Sequence, residues 1–82
     1  MDKRIGTITV IVTNRTAQAG AVNAILAEYG DAIIGRMGLP YHPRGLHIIA
    51  LIVHASTDVI GALTGKLGAL EGIEVKSALT KV

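Results

Sequence analysis

The chain has 82 residues, half of them apolar and only 17% charged, with a formal net charge of +2 and no cysteine. That length supports one domain, residues 1–82, burying roughly 60% of its unfolded surface, and the missing thiols exclude a disulfide frame, a thiolate metal site and a cysteine nucleophile. The eight Lys and Arg are spread along the chain, which excludes a basic block, and charge this sparse, against about 25% in an average soluble domain, leaves little to cover a monomer.

Ile8, Val10 and Val12 alternate with Thr7, Thr9, Ile11 and Thr13, the period of a first strand, which ends in the polar turn of Asn14, Arg15 and Thr16. A helix follows from about Ala17. Val22, Ile25, Leu26 and Tyr29 fall on one side of it, Ala17, Ala21 and Ala24 lie on the outer side beside Glu28, and Gly30 with Asp31 is a stop signal. Residues 32–39 read as a second strand. Residues 40–45, carrying Pro40, Pro43 and Gly45, form a hairpin loop leading to a third strand at Leu46. Ser56 or Thr57 then caps a second helix, where Ile60, Leu63, Leu67 and Leu70 recur at spacings of three and four and Glu71 with Gly72 marks the end. Ile73, Val75, Ser77 and Leu79 form a fourth strand.

The third strand is the most informative segment. Leu46, Ile48, Ala50 and Ile52 occupy one parity and Ile49, Leu51 and Val53 the other, where a strand with one wet face would alternate apolar with polar. The order βαββαβ with right-handed crossovers predicts an α+β, ferredoxin-like plait: a four-stranded antiparallel sheet with both helices on one face, and strands one and three at its centre, expected to run parallel. Two helices cover one face, so the second apolar face, next to Thr7, Thr9 and Ile11, needs another subunit, a partner or a ligand.

We assign Ile49, Leu51 and Val53 to that oligomer interface. Gly61, Gly65 and Gly68 join them, because they lie within about 60 degrees of one another on the outer side of helix two. Glycine costs about 1 kcal/mol relative to alanine in an exposed helix, so three of them suit a surface that another backbone or a ligand approaches closely. The plainer reading is filler on a solvated surface.

The residues 60–68, Ile-Gly-Ala-Leu-Thr-Gly-Lys-Leu-Gly, then 72–76, Gly-Ile-Glu-Val-Lys, and 36–41, Arg-Met-Gly-Leu-Pro-Tyr, resemble the small family assigned as regulators of the iron-only hydrogenase system. The similarity runs from about Lys3 to Val82. It implies an ACT-like plait, akin to the carboxy-terminal domain of the nickel-responsive repressor without its DNA-binding arm, and a homo-oligomer, a dimer or a tetramer.

Candidate sites are few. The nickel-responsive domain binds metal through histidines and a cysteine; here only His42, His47 and His54 stand, and His47 and His54 have opposite strand parity, so one subunit does not bring both to one ion. No metal or cofactor is expected, and a metal sensor with histidines meeting between subunits is an alternative. ACT domains commonly bind amino acids near the first strand-to-helix turn, but the early glycine of that turn is missing from residues 14–20. Asn14 and Arg15 at a helix amino terminus have the chemistry to hold a small anion; a capped turn with a solvated arginine is the simpler reading. Arg36, Tyr41, His42 and Arg44 gather polar side chains suited to recognising a ligand or partner.

Other classes are disfavoured. Arg44 and Gly45 match the start of an RNA-recognition strand, but Leu46, Ile48 and Leu51 stand where its stacking aromatics belong, so no nucleic-acid partner is expected. The six carboxylates are scattered, no serine lies in a nucleophile elbow, and residues 61–66 lack the spacing of a phosphate-binding loop. No enzyme is expected; the alternative is a small plait-fold enzyme using Tyr41 and His42 at a dimer interface. The longest apolar run, residues 48–53, is far short of the ~20 residues that span a bilayer, and a soluble cytoplasmic protein without membrane partners is expected. The sequence thus predicts a non-enzymatic, homo-oligomeric regulatory module that senses a small ligand or contacts a protein partner at subunit interfaces.

Overall fold

The structure, a computed structural model, describes residues 2–13 and 15–82, the side chains of residues 15–17 excepted. In chain order the elements are β1 (Lys3–Val12), α1 (Arg15–Glu28), a 3-10 turn (Gly30–Ala32), β2 (Ile33–Tyr41), a second 3-10 turn (His42–Arg44), β3 (Leu46–Ser56), α2 (Thr57–Gly68) and β4 (Ile73–Leu79). The strands form one sheet in the order β2-β3-β1-β4, with every adjacent pair antiparallel. This is the ferredoxin-like plait that the order of elements predicts.

One expectation is corrected: β1 and β3 run antiparallel, with Ile8 opposite Leu51 and Val10 opposite Ile49. The crossover through α1 returns β2 in the direction of β1, and the β2–β3 hairpin then reverses the chain. Gly45, with φ of 63°, closes that hairpin in the left-handed region that glycine enters without strain.

Each helix is placed by its apolar stripe. Val22 and Leu26 of α1, and Ile60, Leu63 and Leu67 of α2, pack on Ile8, Val10 and Val12 of β1 and on Ile49, Leu51, Val53 and Ala55 of β3. These residues are the core, none more than 5% exposed. Ile49, Leu51 and Val53 are therefore the chain's own interior and are not available to a second subunit, which corrects their assignment to an oligomer interface. Burial against the helices has used the odd parity of β3, and the even parity faces outward.

Local chemistry sets the helix ends. Ser56 caps α2, its hydroxyl accepting from the Val59 N–H at 3.2 Å. The helix stops at Gly68, and Leu70 packs on the core from the turn beyond. Lys66 of α2 donates to the Glu28 carboxylate of α1 at 2.8 Å, with its ammonium 5.2 Å from the centroid of the Tyr29 ring. The Glu28 carboxylate first, and then the Tyr29 side chain, hold the ammonium pKa above its usual value.

The sheet edge at β4 is fastened by its neighbours. Thr13 donates through both its N–H and its hydroxyl to the Gly72 carbonyl, and Ile5 N–H donates to the Val82 carbonyl at 2.7 Å. Gly6 lets β4 lie this close: a methyl group there would sit 2.7 Å from the Ala78 carbonyl oxygen.

Candidate interaction surface

Register carries the outward parity of β3 across the sheet. Ile48, Ala50 and Ile52 lie opposite Ile11, Thr9 and Thr7 of β1, and opposite Leu39, Met37 and Gly35 of β2. Glu74, Lys76 and Ala78 of β4 continue the same rows beyond β1. Directly opposed residues share a face, so this face is apolar over β2 and β3, hydroxyl-bearing over β1 and charged over β4. Met37 is 68% exposed, Leu39 51%, Ile52 47% and Tyr41 43%. Large exposed apolar patches are uncommon on monomers.

The polar residues singled out from sequence do not form one cluster. Arg36 lies opposite Leu51 and so sits on the helix side of β2. It lines an open cleft of about 320 Å³ with Leu26, Ala27, Gly30, Ile33, Ile34 and Gly35. Tyr41 is on the open face, five residues further along the strand, a span of about 16 Å. Only Tyr41, His42 and Arg44 come together, at the exposed hairpin tip. Asn14 and the Arg15 side chain lie outside the described residues.

The histidines separate as their parity requires. His47 is half-buried on the helix side, its Nε2 within 3.2 Å of where a Gly38 methyl would stand, whereas His54 is exposed on the opposite parity, across from Ile5. His54 joins Lys3, Asp31, Ser56 and Val59 around a cleft of about 350 Å³ beyond the end of β2. Sequence reasoning missed this grouping, because it depends on the 3-10 turn after α1 meeting the last residues of β3. Among the described residues no three or more His, Asp or Glu are placed to hold a metal ion.

Gly61, Gly65 and Gly68 are exposed on α2, where an added methyl meets nothing within 4 Å. Met37, Leu39 and Ile52 were missed as surface residues. The signal for Ile52 was present in the apolar even parity of β3, but Gly35 and Gly38 break the alternation of β2 and hide which of its residues share a face.

These features define a class: a small ferredoxin-like plait domain with both helices on one side of its sheet and an apolar open face on the other. Residues 4–77 match the TM1266-like family, described as "Iron-only hydrogenase system regulator, putative", and the chain belongs to that family. It is similar to the uncharacterized protein TM1266 of Thermotoga maritima, at 35% identity and a TM-score of 0.93, over 98% of this chain and 100% of that one. A nitrogen regulatory PII-like protein from Thiomonas intermedia K12, bound to ADP, AMP and bicarbonate, shares the fold at 15% identity and a TM-score of 0.54, over 96% of this chain and 92% of that one. So does part of a formyltetrahydrofolate deformylase from Pseudomonas putida KT2440, at 13% identity and a TM-score of 0.62, over 90% of this chain and 28% of that one. No curated protein sequence matches the chain. No helix among the described residues is long and apolar enough to cross a membrane.

Proposed function

We propose that the chain is a non-enzymatic module of an iron-only hydrogenase regulatory system, working in the cytoplasm as a homo-oligomer whose subunits cover one another's open sheet faces. The observation that carries this reading is the apolar patch of Met37, Leu39, Ile48, Ala50 and Ile52. A second copy supplies the same patch, as an isologous interface requires. Membership of a family described as regulators supports the regulatory role.

Regulation then works by shifting subunit arrangement. A small ligand or protein partner bound at the rim of the face, beside Tyr41, His42 and Arg44, changes assembly only as far as it binds the two arrangements differently. The PII-like neighbour, held with ADP, AMP and bicarbonate, is an example of this fold carrying small ligands.

Native mass spectrometry of the purified protein, with the Ile52→Asp variant beside it, tests the reading. A homo-oligomer that falls to a folded monomer on Ile52→Asp is expected, and added mass on the wild-type oligomer identifies the ligand class. A wild-type monomer, or an oligomer indifferent to Ile52→Asp, overturns it.

A further inference from the structure

At the end of the sheet away from the hairpin tip, polar side chains from three parts of the chain surround the cleft where β2 begins. Lys3 of β1 lies directly opposite Ser56 of β3, and His54 stands two residues back along β3, opposite Ile5. The three share the open face, since Lys3 and Ile5 continue the parity of Thr7 and Thr9. Each carries a donor: an ammonium, an imidazole N–H and a hydroxyl, for Ser56 accepts from Val59 and keeps its own proton to give. The opposite wall is Asp31, in the 3-10 turn just ahead of β2. Between the walls, Ala32, Ala55 and Val59 make an apolar floor.

The charges on the two walls do not meet. Among the described residues Lys3, Asp31 and His54 make no side-chain hydrogen bond or ion pair. The topology holds them apart, because β1 and β2 flank β3 and so Lys3 and Asp31 rise on opposite sides of it. Strands lie about 4.7–4.9 Å apart, which separates the two flanks by roughly 9–10 Å at the backbone. The cleft volume of about 350 Å³ falls within the range of small-molecule sites.

We infer that this cleft binds an unbranched ω-amino carboxylate, its carboxylate held by Lys3, His54 and Ser56, its ammonium by Asp31, and its methylene chain on the floor between. A ligand with one charge leaves a wall unsatisfied, and an α-amino acid carries its two charges too close together to reach both flanks. The site is built within one chain, so it does not rest on subunits covering one another's sheet faces.

The test is a titration of the isotope-labelled full chain, followed through its amide NMR signals, with ε-aminocaproate and glycine, and with hexanoate and hexylamine as single-charge probes. Saturable shifts centred on residues 31–32 and 54–59 are expected with ε-aminocaproate, and weaker binding with the other three. Asp31→Asn and Lys3→Gln, both at exposed positions, should each weaken ε-aminocaproate roughly two- to fivefold, the range for an exposed charge pair. Asp31→Asn leaves hexanoate binding intact, and Lys3→Gln leaves hexylamine binding intact. No saturable shift with ε-aminocaproate, or shifts centred elsewhere, overturns the site. Hexanoate binding as tightly as ε-aminocaproate, with Asp31→Asn without effect, makes the cleft an anion site and overturns the ligand class, and glycine binding as tightly overturns the span between the walls.

Discussion

Leu51 and Ile52 are neighbours in sequence, similar in size and equally apolar, yet one is 1% exposed and the other 47%. The difference between the two faces of this sheet is therefore not one of residue type. It comes from which parity of β3 the helices reach, and it separates residues that hold the fold from residues free to contact something else.

The largest expected effect tests that separation directly. Leu51→Asp buries a carboxylate among Ile8, Leu63 and Leu67, and should leave the chain largely unfolded by circular dichroism, since even truncation to alanine at such a site costs about 2–5 kcal/mol. Ile52→Asp should keep the fold and lose assembly. If both variants unfold, the open face is needed for folding itself and the distinction between the faces collapses.

A smaller loss is expected at the boundary between sheet and edge. Gly6→Ala places a methyl against the Ala78 carbonyl and should destabilise by about 1–3 kcal/mol in urea unfolding, the cost of overpacking. The reverse is expected on the outer surface of α2. Gly61→Ala and Gly65→Ala, with open space around both positions, should each stabilise by up to about 1 kcal/mol. A gain in stability with assembly unchanged makes this surface solvent-facing, whereas a loss of assembly makes it a second interface.

Ser56→Ala removes the hydroxyl that accepts from Val59 and should cost about 1 kcal/mol, read as a lower urea midpoint with an unchanged slope. The smallest effect belongs to the exposed Lys66–Glu28 pair. Its lysine pKa is raised in the folded state, so its contribution is fully present below the ordinary lysine pKa and is lost as pH rises through the folded value. Lys66→Met should shift stability slightly at neutral pH, less in high salt, and not at all once the ammonium has titrated.

Much of the fold is legible in the residues. The alternation of Ile8, Val10 and Val12, the stripe of Ile60, Leu63 and Leu67, the cap at Ser56 and the turn at Gly45 are each written within a few positions, because periodicity and turn chemistry are local. The candidate surface is legible only in part. Two apolar parities in β3 announce an apolar surface on both faces of the sheet without saying which face the helices cover, and the assignment of Ile49, Leu51 and Val53 to an interface falls on the covered one. Arg36 and Tyr41 stand close in sequence, but a pleated strand turns its odd and even residues to opposite faces and spreads them along its length.

By itself, then, the sequence determined the order βαββαβ, the caps and turns that bound its elements, and the excess of apolar strand surface over what two helices cover. Only the tertiary structure decided that the odd residues of β3 are core, that β1 and β3 run antiparallel, and that β2 and β4 are the edges of the sheet. The reason is that Ile, Leu and Val pack equally well on either side of a sheet, so the choice between faces is made by where the helices land and by the direction in which each crossover returns the chain.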